Sequence, residues 1–359
     1  MPDRLRALVY RPGSLGDTLV SLPAIAEIRR RYPEHTLTLL TERPSIARVS
    51  PWTVLKETGW FDNVRHYVVK PQRLRDRVHN VRLALELRAI GYDEVFSLAP
   101  RRTARQLRVD SRIFRGVVGA GRDHAADQPA WPISPDAIEV EYEGLRLLRI
   151  VDPDATIASL LEFRLAVPDA ERELGEDLLS DLGVRDDQLL IGVGPGSGRA
   201  TTTWPADRFA AVGSALLRQF RNVVLLAIGG ANERSLCERL CEAWGPRSHN
   251  LAGRLSVFGS ASILSRCAMF IGNDSGPTHL AAVVGVPCVA IYSARNARGL
   301  WELVGPDHVV LEERPACAGC RLDDCVSHAN KCLTSIETGR VLNEAILLIE
   351  SRRPTCLAQ

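Results

Sequence analysis

Apolar positions along the chain follow two rhythms. Residues 5–10 (LRALVY), 36–40 (TLTLL), 94–99, 189–193 (LLIGV), 222–228 (NVVLLAI), 268–271 and 286–292 are short apolar runs, the pattern of buried strands. Leu19, Leu22, Ile25 and Ile28 instead step by three, which gives one apolar face to a helix over 18–32, closed by Pro33. Helices are also predicted over 74–90, 171–182, 205–220, 232–244, 255–266, 279–284 and 336–352. Strands that alternate with helices predict an α/β chain with parallel sheets. Glycine-containing turns at 11–17, 194–203, 229–230 and 272–278 each lead from a strand into a helix. The polar stretch 168–188, with Pro168 and Gly183, reads as the region between two domains. The expected architecture is two Rossmann-like halves, 1–168 and 169–359, facing a central cleft.

Composition narrows the classes. Of 359 residues, 45% are hydrophobic and 25% are charged, which is ordinary for a folded globular chain. Lys and Arg number 45 against 43 Asp and Glu, so nothing marks a dedicated nucleic-acid binder. Only Lys56, Lys70 and Lys331 are lysines, and a coding bias explains most of the arginine excess. The charge is uneven. Residues 65–122 hold 14 basic and 5 acidic side chains, a net of +9, which reads as a solvated basic face or a surface for an anionic partner. Residues 1–170 are net +4 and the remainder net −2. The start, MPDRLRALVY, lacks the apolar core of an export signal, and the uncharged run 275–294 is broken by Gly276, Pro277, Gly285 and Pro287. Nine cysteines, an odd number, fit reduced thiols and a cytoplasmic location, with at most peripheral membrane contact.

Four segments carry candidate chemistry. In Gly272-Asn273-Asp274-Ser275-Gly276-Pro277-Thr278-His279 a strand ends and a helix starts, so unpaired backbone N–H groups present an anion site. Asp274 or Ser275 is either a plain helix cap or part of that site, and His279 either a core histidine or a contact to phosphate or sugar. Residues 194–203, with Ser197, Arg199, Thr201, Thr202 and Thr203, form a second strand-to-helix loop suited to phosphate, although no P-loop lysine follows. In Gly13-Ser14-Leu15-Gly16-Asp17, Asp17 is a helix cap or a general base. Cys317, Cys320, Cys325 and Cys332 lie within 16 residues, with His328 as an alternate ligand. They read as a structural zinc or iron site, or as free thiols.

Taken together, GSLGDTLVSLPAI, GPGSG with WPADRF, LAGRLSV, and GNDSGPTHLAAVVGVP resemble glycosyltransferase family 9, the heptosyltransferases. The resemblance runs through most of the chain and is weakest over 49–187. It implies the GT-B architecture, with an acceptor-binding first domain, a nucleotide-sugar-binding second domain, and a last helix that crosses back to the first. It implies an ADP-heptose donor and inverting transfer that needs no metal or other cofactor for catalysis. Asp17 matches the general base, with Gly16 beside it. Asp274 and His279 match donor-contacting positions, and N–H groups around Ser275 and Gly276 would meet the leaving diphosphate. Ser197 and the threonines 201–203 match the phosphate loop, Glu233 the ribose contact, and Leu255 the base pocket. A cysteine cluster occurs in part of the family. One departure stands out: where the family commonly has a lysine, two residues before Trp-Pro, this chain has Thr202, and Arg199 is the candidate substitute. The expected acceptor is the anionic lipopolysaccharide core, a small metabolite or a protein. Two other functions remain to be separated, a GT-B-like sugar-nucleotide epimerase or hydrolase, and a non-catalytic metal-binding assembly protein.

Overall fold

The computed structural model describes residues 5–44, 49–69, 71–100, 118–124 and 140–351, with 118–123 described for the backbone alone. The chain divides into two compact units, Met1–Glu162 and Phe163–Gln359.

The first unit holds five parallel strands: β1 (Arg6–Tyr10), β2 (Thr36–Glu42), β3 (Asn63–Tyr67), β4 (Tyr92–Ser97) and β5 (Val118–Asp123). Their order is β3-β2-β1-β4-β5, so β1 is central. The helix Leu15–Arg31 starts earlier than its apolar period indicates, because Ser14 caps it. Leu19, Leu22, Ile25 and Ile28 are all buried, as the three-residue step requires. Each such side chain contributes about 1.5–3 kcal/mol relative to exposure. The helix Leu74–Ile90 forms over the predicted span and buries only Leu83 and Leu87. Those two pack with Leu8, Leu40 and Val95. In the basic stretch 65–122, Lys70, residues 101–117 and the side chains of 118–123 lie outside the described residues.

The second unit holds six parallel strands: β6 (Leu189–Gly194), β7 (Val223–Ala227), β8 (Ser248–Asn250), β9 (Met269–Asn273), β10 (Cys288–Ser293) and β11 (His308–Glu313). Their order is β11-β10-β9-β6-β7-β8. The apolar runs predict the interior strands of both sheets. The edge strands β3, β5, β8 and β11 carry no such run. A strand paired on both sides and covered on both faces is continuously apolar, whereas an edge strand stays partly in water and accepts charge. Accordingly β11 reads HVVLEE and β3 reads NVRHY.

One expectation about chain organisation needs correction. Residues 168–188 are not a spacer between units. Leu165 N–H donates to Val283 O at 2.8 Å, so the second unit already includes the residues before Pro168. The helix Asp169–Asp181 packs on the helix Val257–Ser265. A Cβ on Gly175 would sit 2.2 Å from Ser262 Oγ, so that approach needs glycine. The last helix, Thr338–Glu350, buries Val341, Ala345 and Ile349 in the core of the second unit, with Trp204, Phe209 and Ile271. The 275–294 run is the helix Gly276–Val283 followed by β10. Among the described residues no helix is long and apolar enough to cross a membrane.

Candidate functional site

Parallel sheets place ligand loops at the carboxyl ends of their strands. In the first unit that edge holds the loop after β1. Gly13 adopts φ +127°, in the left-handed half of the map, and a Cβ there would lie 2.8 Å from Asp17 Oδ2. The sharp turn and the close carboxylate both demand glycine. Asp17 Oδ2 accepts from Ser14 N–H at 2.7 Å and from Ser14 Oγ at 2.6 Å. Asp17 is therefore the acidic partner of a capping box. Oδ1 takes no hydrogen bond from the described residues. The cap therefore engages one carboxylate oxygen. Gly16 lies in the same first turn.

In the second unit β6, β7 and β9 are neighbours, and three loops leave their carboxyl ends side by side. Asn273, the last residue of β9, is fully buried and joins two of them. Its Nδ2 donates to Pro195 O at 2.8 Å and Gly196 O at 3.4 Å, and its Oδ1 accepts from Trp204 N–H at 2.9 Å. Ser197 Oγ lies 2.6 Å from Thr202 Oγ1 and donates to Asp274 O at 3.3 Å. The loop 194–203 and the start of the helix Gly276–Val283 are thereby one structure. His279 is buried, with Nε2 3.6 Å from Asp274 Oδ1. That is too long for a hydrogen bond. The helix is capped by Ser275 without a side-chain bond, and Ser275 Oγ is buried with no partner among the described residues. Thr201 Oγ1 is in the same condition.

The third loop brings Glu233. Its Oε2 accepts from Gly230 N–H at 2.7 Å. A Cβ on Gly196 would lie 1.9 Å from Oε1, so the carboxylate rests against the phosphate loop. Burial raises the pKa of Glu233, and the Gly230 N–H only partly opposes this. Leu255 is half-buried and follows the segment in which Gly253 N–H donates to Gly229 O at 2.9 Å. Thr202, at the lysine position, is 5% exposed. Its hydroxyl is engaged with Ser197 and with Arg199 O, so it closes the loop on itself. Thr203 Oγ1 also donates to Arg199 O, at 2.8 Å. Arg199 is exposed, and its Nε donates to Asp323 Oδ1 at 3.1 Å.

Sequence reasoning passed over Asn273 and Arg295. Asn273 stood inside a quoted motif, and an amide ending a wholly apolar strand was the available signal. Arg295 follows β10 and shares Asp323 with Arg199. No local signal marked it among so many arginines.

Among the described residues no group of three or more His, Cys, Asp or Glu is placed to hold a metal ion. Cys317, Cys320, Cys325 and Cys332 form no disulfide, and neither they nor His328 belong to such a group. Burial pushes the Cys332 thiol up, and Cys325, Cys317 and Cys320 add to this. A tetrahedral site needs four sulfurs near 2.3 Å from one centre.

Comparison with known proteins agrees with this geometry. A model of the family described as "Glycosyltransferase family 9 (heptosyltransferase)" matches residues 156–327. Lipooligosaccharide heptosyltransferase 2 of Campylobacter jejuni is 22% identical over 353 residues, covering 97% of this chain and 99% of its own length. The solved structure of a glycosyl transferase family 9 protein from Veillonella parvula superposes with a TM-score of 0.75 at 20% identity, covering 98% of this chain and 99% of the other. That of the E. coli ADP-heptose LPS heptosyltransferase II gives 0.65 at 17% identity, covering 97% and 99%. The fold is GT-B.

Proposed function

We propose that the chain is a family 9 glycosyltransferase that moves a heptose from ADP-heptose to an acceptor hydroxyl with inversion. The second unit takes the donor and the first the acceptor. The observation that carries this reading is the Asn273 staple. It holds a phosphate loop and a helix start together at one sheet edge. The acceptor oxygen attacks the anomeric carbon as the bond from that carbon to the diphosphate oxygen breaks. Asp17 Oδ1 takes the acceptor proton, and ADP leaves with the bonding electrons. N–H groups of Ser275 and Gly276 meet the charge that grows on the leaving phosphate. Glu233 accepts from the ribose hydroxyls, Leu255 lines the base, and Asp274 and His279 contact the sugar. The acceptor reading is the anionic lipopolysaccharide core, supported by the names of the relatives and the net +9 stretch.

The test is ADP release from ADP-heptose, with and without heptose-deficient lipopolysaccharide core. Release that requires the acceptor supports transfer. Donor consumption without acceptor would instead favour an epimerase or hydrolase. Absence of binding and turnover across ADP-, GDP- and UDP-sugars would reject the reading and leave the non-catalytic alternative.

Two smaller predictions follow from Glu233. Its raised pKa makes the charged form scarcer as pH falls, from a higher pH than for an ordinary carboxylate. Calorimetric ADP affinity is therefore expected to weaken on acidification, starting above the usual Glu range near 4.3. Glu233→Gln should flatten that dependence, and an unchanged profile would remove Glu233 from the ribose site. Gly196→Ala should push Glu233 aside and weaken ADP at least about tenfold, since one lost charge-assisted hydrogen bond is worth about 1.5–3 kcal/mol.

A further inference from the structure

The donor loop lacks its usual lysine, and Thr202 cannot supply a charge. The structure brings another cation to the same place from a distant segment. Arg295 follows β10, the strand next to β9. Its side chain is only 12% exposed. Nε donates to Leu322 O at 3.0 Å, and Nη2 donates to Arg321 O at 3.0 Å and to Asp323 Oδ1 at 3.1 Å. Arg199, on the phosphate loop, donates Nε to that same oxygen at 3.1 Å. Two guanidinium groups from two loops therefore converge on one carboxylate oxygen. The third loop belongs to the cysteine segment, pinned by Gly319 N–H to Ala294 O at 2.7 Å and Arg321 N–H to Arg295 O at 2.9 Å.

The partners are unequal. Two backbone carbonyls orient Arg295 but carry no net charge. Asp323 is 82% exposed, and Arg199 is about half exposed. An ion pair so open to water contributes little, and a ligand oxygen with more charge displaces it readily. Burial and the facing Arg199 lower the pKa of Arg295, while Asp323, Cys320 and Asp274 oppose this. Asp274 thus also acts on the guanidinium, which places Arg295 within electrostatic reach of the helix start at Ser275. A fork held by carbonyls, near a second fork and a helix start, suits a doubly charged oxyanion.

We propose that Arg295 and Arg199 together form the clamp for the diphosphate of the nucleotide donor, and that Asp323 Oδ1 marks the point where both guanidiniums meet an anionic oxygen. The clamp rests on the donor reading above but adds to it a residue from outside the phosphate loop. It also gives the cysteine segment a role, since that segment supplies the Asp323 oxygen and the carbonyls that aim Arg295.

The experiment is calorimetric titration of the full chain with ADP and, separately, with inorganic pyrophosphate. Arg295→Ala is expected to weaken both at least about tenfold, Arg199→Ala less because its side chain is more exposed, and Arg295→Lys to recover part of the loss. Asp323→Ala removes a competing anion and should bind both at least as tightly as the unaltered protein. Melting temperatures identify any variant that fails to fold, and Arg295→Lys then carries the test. If Arg295→Ala binds ADP within twofold of the unaltered protein, the clamp is overturned and the donor reading stands. If Asp323→Ala loses affinity as severely as Arg295→Ala, the ion pair is a strut and the clamp is also overturned. If pyrophosphate binding depends on Arg295 but no nucleoside diphosphate binds, the clamp stands and the donor reading falls. If the unaltered protein binds neither, both fall.

Discussion

Asp17→Asn is expected to retain ADP affinity and lose turnover at least about a hundredfold, the range of a removed general base. The substitution is informative because it can leave the local structure in place. Asp17 Oδ2 accepts from Ser14 N–H and Ser14 Oγ. An asparagine can offer its own Oδ1 to both and turn its Nδ2 toward the position of the present Oδ1. The cap survives, so the melting temperature should hardly move, while the group facing the acceptor can no longer take a proton. Asp17→Ala serves as the contrast, since it also removes the acidic half of the capping box. A turnover loss below tenfold in Asp17→Asn would leave Asp17 as a capping residue only.

Asn273→Ala should have the other large effect, on stability and donor affinity together. It deletes the donor to Pro195 O and Gly196 O and the acceptor for Trp204 N–H, all at a fully buried position. Each buried group left unpaired costs about 1–3 kcal/mol. A total of about 2–4 kcal/mol lowers the melting temperature by roughly 5–15 °C for a unit of this size. Because the same bonds join the phosphate loop to the helix start, ADP affinity should fall more than about tenfold in the fraction still folded at 20 °C. Asn273→Asp keeps the acceptor for Trp204 but sets a buried carboxylate against two carbonyl oxygens, and should be worse than alanine near neutral pH. Normal ADP affinity in a folded Asn273→Ala would separate the staple from donor binding.

These predictions stand on contacts of unequal legibility. Asp17 and its glycine turn were readable because the whole device lies within five residues. A capping residue, its acidic partner and the preceding glycine announce themselves by spacing. The Gly196–Glu233 contact was half legible: the two glycine turns were visible, but not that Glu233 rests against the first of them. Arg199 was noticed for its position, yet its partner Asp323 is 124 residues away. The cysteine cluster shows the opposite limit. Close spacing in sequence resembles a ligand set, but the segment's hydrogen bonds to Ala294 and Arg295 fix its course, and no metal geometry results among the described residues.

By itself, the sequence determined the alternation of strands and helices, the interior strands of both sheets, the two-unit α/β plan and the loops at which ligands are expected. Each of these follows from periodicity and turn chemistry over a few neighbouring residues. Tertiary structure alone decided the edge strands, the place of residues 168–188 and of the last helix inside the second unit, the Asn273 staple, and the meeting of Arg199 and Arg295 at Asp323. The physical reason is common to all of them. An edge strand is held by a backbone ladder that leaves no apolar signature, and a side-chain bond to a distant backbone group depends on where the sheet brings its loops together, which no local pattern records.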